Sequence, residues 1–210
     1  MRRVFLSFRF EPIDTWPALV QIEPPSNYKD PEKIAAYYEK RRAELAAGKA
    51  ATMPLCGSVA QMALLGEKPT PDIAIFPGTM AALVALKDFA SANESVVFYG
   101  YQVRLAFRLL AIEAMRHAAL EQAGRADAVK GLQPVASWLL ACLSRSNDDT
   151  RIEVDPMARR SYCLDPVSKL FGSTVTIENA MVRLFDVELD GSLEAEAHAI
   201  RSFAELVDDN

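Results

Sequence analysis

The chain has 210 residues, of which 50% are hydrophobic and 24% charged. That balance suits one or two folded domains with a sizeable core and excludes a disordered chain, a collagen or a disulfide-stapled miniature. The formal net charge is −5, so the field of the whole molecule does not attract nucleic acid and only a local basic patch could do so.

Residues 3–10 alternate loosely and are rich in Val and Phe, which predicts a strand. Arg9 interrupts the apolar stretch after Arg2-Arg3 too early for a secretory leader. Residues 11–29 carry Pro12, Pro17, Pro24 and Pro25 and are expected to wander over the surface. Asp30 is a good N-cap and Pro31 a good first helical residue. The helix they open runs through Ile34, Tyr37, Tyr38, Arg41 and Leu45 and stops at Gly48. Glu39, Lys40, Arg42 and Glu44 read as its solvated face. Further strands are expected at 57–65, 72–76 and 95–99, and a short one at 151–154. Helices are expected at 79–92, 102–123, 134–144, 164–171 and 193–207. No repeat or linker interrupts this order, so the chain reads as one α/β domain over 1–210 with a mixed sheet and an insertion at about 11–48.

Cys56, Cys142 and Cys163 are widely spaced and form no CxxC pair. Reduced, buried thiols in a cytoplasmic protein are the simplest account. No apolar run reaches the roughly 20 residues of a membrane helix.

Several segments resemble, in order, the phage and prophage branch of the DnaQ-like 3′–5′ exonuclease superfamily. One is Pro24-Pro25-Ser26-Asn27-Tyr28-Lys29-Asp30-Pro31-Glu32-Lys33-Ile34, followed by a charged helix and Ala50-Ala51-Thr52-Met53-Pro54-Leu55-Cys56-Gly57. Others are Val96-Val97-Phe98-Tyr99-Gly100-Tyr101 before a long helix, Val154-Asp155-Pro156-Met157, Tyr162 to Gly172, and the closing helix after Gly191. The resemblance implies a ribonuclease-H-like fold. It also implies a site where four acids hold two Mg²⁺ or Mn²⁺ ions roughly 3.5–4 Å apart for phosphodiester cleavage.

Carried over position by position, the family's first two acids fall on Ser7 and Arg9. Its second motif puts Tyr101 at the Asn and Ala106 at the Asp, and its last motif gives His198 and Phe203. All four acids are replaced. At about 5 Å and an effective dielectric near 20, a guanidinium repels a divalent ion by roughly 6–7 kcal/mol. Arg9 is therefore expected to stand in for a metal's charge, paired with a nearby acid such as Asp155. No cofactor is expected on this reading.

Other residues have plainer roles. His198 reads as an exposed helix histidine and His117 as a favourable charge near a helix end. Arg104, Arg108 and Arg116 could line a nucleic-acid groove, with a solvated helix face as the plainer reading, and Trp16, if exposed, could anchor an interface. Glu11, Asp14, Asp155 and Asp186 would matter only in an active nuclease with relocated acids, which would need Mg²⁺ or Mn²⁺. The expectation that follows is a catalytically inactive exonuclease-like protein of phage or prophage origin. It would act by binding a protein partner as a regulator or inhibitor, host defence included. Nucleic-acid binding without catalysis is the alternative, opposed by the net acidity and by the lack of an aromatic–basic stripe in the sequence.

Overall fold

Strand β1, Arg2–Pro12, sits at the centre of the sheet, and every residue from Val4 to Phe8 is buried. Strand alternation sends Val4, Leu6 and Phe8 to one face and Phe5 and Ser7 to the other. A strand covered on both sides needs apolar residues at nearly every position, which is why its alternation looks loose in the sequence. The computed structural model describes residues 2–67, 73–91, 96–144 and 161–208. The strand expected at 151–154, the motif at 154–157 and Asp155 lie outside them.

β1 pairs antiparallel with β2, Gly57–Gly66, and parallel with β4, Val96–Gly100. β2 pairs antiparallel with β3, Ile73–Pro77, and β4 pairs parallel with β5, Tyr162–Leu164. The sheet order is β3-β2-β1-β4-β5, the mixed ribonuclease-H-like arrangement expected. The β1–β2 register slips between Arg9 and Phe10, where Arg9 faces Gln61 but Phe10 faces Val59. The extra residue is a bulge, which re-aims the strand just past Arg9.

Helices cover both faces. On one, α3 (Gly78–Ser91), α4 (Val103–Gln122) and α5 (Gln133–Ser144) close over Leu6, Phe98, Phe107 and Trp138. On the other, α6 (Pro166–Phe171), α7 (Ile177–Phe185) and α8 (Leu193–Asp208) close over Phe5, Val97, Tyr99 and Phe203. No helix among the described residues is long and apolar enough to cross a membrane.

Three elements differ from the sequence reading. Residues 11–29 hold the tail of β1 and a short helix, α1, Trp16–Leu19. The helix expected from 164 begins only at Pro166, because Asp165 caps it and the three residues before it pair with β4. Helix α7 fills a stretch for which no element was expected, with the Thr176 hydroxyl capping Asn179 N–H.

The inserted arm consists of α1, α2 (Pro31–Ala46) and a 3₁₀ turn, Lys49–Thr52. Its own small core gathers Leu45, Ala50 and Cys56 under Trp16, Val20, Ile22 and Met53. Ile13 N–H donates to the Cys56 carbonyl at 2.8 Å and ties the arm's two ends together. A Cβ at Gly57 would lie 1.9 Å from the Ala51 carbonyl oxygen, so only glycine lets the 3₁₀ turn approach β2 this closely.

Candidate functional site: a cleft closed by an Arg–Glu pair

The carboxyl ends of parallel strands in an open α/β sheet are where ligand sites usually form. Here β1 and β4 end beside a cleft of about 370 Å³, lined by Ser7, Arg9, Glu11, Tyr101, Gln102, Glu178 and Glu196 among others. Each wall has a local cause. Asp190 accepts from Ser192 N–H at 2.8 Å and the Ser192 hydroxyl caps Ala195 N–H at 3.1 Å, which fixes the start of α8. The turn between them aims the Gly191 carbonyl at Arg9. The Ser192 N–H, and after it the Ser192 hydroxyl, also hold the Asp190 carboxyl below its ordinary range. On the opposite wall, Asp165 accepts from Gln102 N–H and from Ser168 N–H, both at 2.9 Å. It thereby holds Gln102 in a left-handed conformation (φ 55°) at the start of α4.

The centre of the cleft is a forked ion pair. Arg9 Nη1 and Nη2 reach Glu196 Oε2 and Oε1, each at 2.7 Å. Nη2 also donates to the Gly191 carbonyl at 2.6 Å, and Nη1 to the Phe8 carbonyl at 3.2 Å. The Ser7 hydroxyl donates to Glu196 Oε2 at 2.6 Å. Ser7 and Glu196 are buried, and the Arg9 side chain is 36% exposed. The bonds to Glu196 make Arg9 hold its proton more tightly still, against the opposing effect of burial, with Glu178 adding to the pull. Burial raises the Tyr101 phenol, as do the charges of Asp165, Glu178 and Glu196. Every carboxylate oxygen of Glu196 is engaged, while Glu11 and Glu178, both exposed, leave the mouth acidic.

Of the positions carried over from the resemblance, the cleft brings together Ser7, Arg9 and Tyr101. Ala106 is buried in the core on the other face of the sheet. Phe203 is buried on α8 against the rings of Phe171 and Phe185. His198 is exposed, its carbonyl accepting from the Ser202 hydroxyl. Arg9 takes Glu196 as its acid. Trp16 is half-buried in the arm's core, Arg104 donates to the Leu143 carbonyl at 3.2 Å, and Arg108 is exposed. Asp14 is exposed, and Asp186 ends α7 in a left-handed conformation. His117 is buried and accepts from Val129 N–H at 3.1 Å, so it pins the following loop to α4.

Glu196 is the residue the sequence reading passed over. Its signal was present: on α8 the buried stripe runs Leu193, Glu196, Ala197, Ile200, Phe203, Ala204, Val207, and an acid on an apolar stripe needs a partner.

No group of three or more His, Cys, Asp or Glu side chains among the described residues is placed to hold a metal ion. The two-ion site implied by the resemblance does not fit this cleft, because its one buried carboxylate is already bound by a guanidinium and a hydroxyl.

No protein-family model matches the chain, and neither curated proteins nor solved structures give a match.

Proposed function

We propose that this protein is a catalytically inactive, exonuclease-like protein that acts by binding a protein partner, as a regulator or inhibitor. The Arg9–Glu196 fork carries this reading. In a ribonuclease-H-like sheet the first strand and the last helix face each other across the cleft. Here they present a cation and the acid that neutralises it, with the Ser7 hydroxyl on the same oxygen. A divalent ion would have to displace a bidentate guanidinium and then sit beside its charge. The acidic mouth formed by Glu11 and Glu178 also disfavours a phosphate backbone in the cleft.

A protein partner is supported by the outer side of α7 and the turn after it. Val182, Leu184, Phe185 and Val187 are 39–47% exposed and close together in the chain, and Leu170 on the neighbouring helix α6 is exposed as well. A run of large apolar side chains left open in this way marks an interaction surface. Under a phage or prophage origin the partner would be a host or phage protein.

The decisive assay incubates the protein with 3′-labelled single-stranded DNA and Mn²⁺, alongside calorimetric titration with MnCl₂. No shortening and no binding heat are expected. Shortening that disappears in Glu196→Gln would overturn the proposal. The partner claim is tested by co-purification from the source cells, where Leu184→Asp/Phe185→Asp should release a partner retained by the unaltered chain. A partner retained equally by both would remove α7 as its surface.

A further inference from the structure

A second cavity lies on the arm, between α2 and the extended segment that enters it. Its volume is about 430 Å³ and it shares no lining residue with the cleft. Lys33, Tyr37, Lys40, Arg41 and Glu44 fall on one side of α2 by helical spacing, and Tyr28 stands across from them. Tyr28 is held by a turn in which its N–H donates to the Pro25 carbonyl at 2.9 Å. Its ring meets Tyr37 edge-on at 5.9 Å, and Tyr37 meets Tyr38 at 6.4 Å. Ala36 leaves room beside the rings.

The charges here do not cancel. Arg41 is spent on Glu44, with Nη1 to Oε2 at 2.8 Å. Lys33 and Lys40 are exposed and make no ion pair or hydrogen bond among the described residues. They stand seven residues, or about 10 Å, apart along the helix, with Tyr37 between them. The charge of Lys40 also acts on Glu44, but Arg41 holds that acid's direct contact. Two cations outside any ion pair, flanking aromatic rings, make the pattern that serves single strands: rings stack on bases and cations meet the phosphates on either side. An acidic peptide would use the lysines but gain little from the tyrosines.

We infer that this groove binds single-stranded nucleic acid. One base stacks on the Tyr37–Tyr28 wall, and the phosphates flanking it meet Lys33 and Lys40. Stacking accepts any base, so binding is tolerant of sequence. The inference does not depend on the cleft being inactive.

The test is fluorescence anisotropy of a labelled single-stranded DNA 12-mer with the full chain, in EDTA at low salt. Binding is expected, with log K falling against log salt at a slope of about −1.4, for two neutralised phosphates. Lys33→Gln/Lys40→Gln should weaken it at least tenfold. Tyr37→Ala should weaken it roughly five- to hundredfold, and Tyr37→Phe should leave it nearly intact. Circular dichroism confirms that each variant keeps its helices, and a variant that does not is replaced by Tyr28→Ala, which lies outside α2. A mononucleotide should compete far less well than the strand. The proposal is overturned by absent binding, by equal binding in Tyr37→Ala, or by polyglutamate or a mononucleotide competing as well as the strand.

Discussion

The cleft beside Arg9 and the groove beside Tyr37 are of similar size, about 370 and 430 Å³, yet they differ in what their charges do. In the cleft the one cation is locked onto Glu196 at 2.7 Å by both nitrogens of its fork, and the remaining acids face solvent. In the groove Arg41 is locked by Glu44, while Lys33 and Lys40 make no ion pair among the described residues. The cleft joins the central strand to the last helix and stands between large cores, whereas the groove rests on an arm with a small core of its own. Charges that satisfy one another are closed to a ligand, and charges left over are available to one. Volume alone does not separate the two cases.

The sharpest way to break this contrast is to remove one member of the locked pair. Arg9→Ala leaves Glu196 buried with Ser7 as its only side-chain partner and should cost about 3 kcal/mol in urea unfolding. Arg9→Met/Glu196→Leu should recover most of that, because a buried pair replaced by apolar groups loses its desolvation cost together with its attraction. A cost below about 0.5 kcal/mol for the single variant would mean that the fork does not hold the cleft.

Alkaline pH and thiol reactivity separate the core of the sheet from that of the arm. Burial pushes the Cys163 thiol, on β5, up to about 11 from an ordinary 9.0. A raised pKa contributes stability that is fully present below the unfolded value and is lost as pH rises through the folded one. The chain should therefore lose roughly 2–3 kcal/mol between pH 9 and 11 relative to Cys163→Ala. The difference between the two proteins is what should be read, since Tyr99 and Tyr162 are also raised and add a loss of the same sign. Cys56, buried in the arm's smaller core, should react with a thiol reagent before Cys163 does. The reverse order would make the arm the more stable region.

The smallest effect on stability belongs to the groove. Tyr37→Ala removes only ring-edge contacts on a half-buried helix face and should shift stability by less than about 1 kcal/mol. A larger loss in thermal unfolding would make Tyr37 a structural residue of the arm.

Much of the framework is legible in the residues. Asp30-Pro31 opens α2 where expected, with the Asp30 carboxylate accepting from Glu32 N–H at 3.0 Å. Strands β1 to β4 and helices α3 to α5 and α8 fall within a residue or two of their expected bounds. β5 was not legible, because three residues carry too little pattern to read as a strand until β4 is there to pair with them. The apolar side expected for α2 is mostly unburied, with Leu45 its one buried residue. Tyr37 therefore lines a groove, and the face that looked merely solvated gives that groove Lys40 and Glu44.

By itself the sequence determined the mixed α/β order, the place of the insertion and the presence of a serine and an arginine at successive positions on one face of the first strand. These follow from local rules, since spacing and capping act over a few residues. Only the tertiary structure decided that Arg9 meets Glu196, 187 residues further along the chain, and that Tyr28 meets Tyr37 in the groove that Lys33 also lines. Pairing of charges depends on distance in space, and the sheet and the arm set that distance after the local elements have formed.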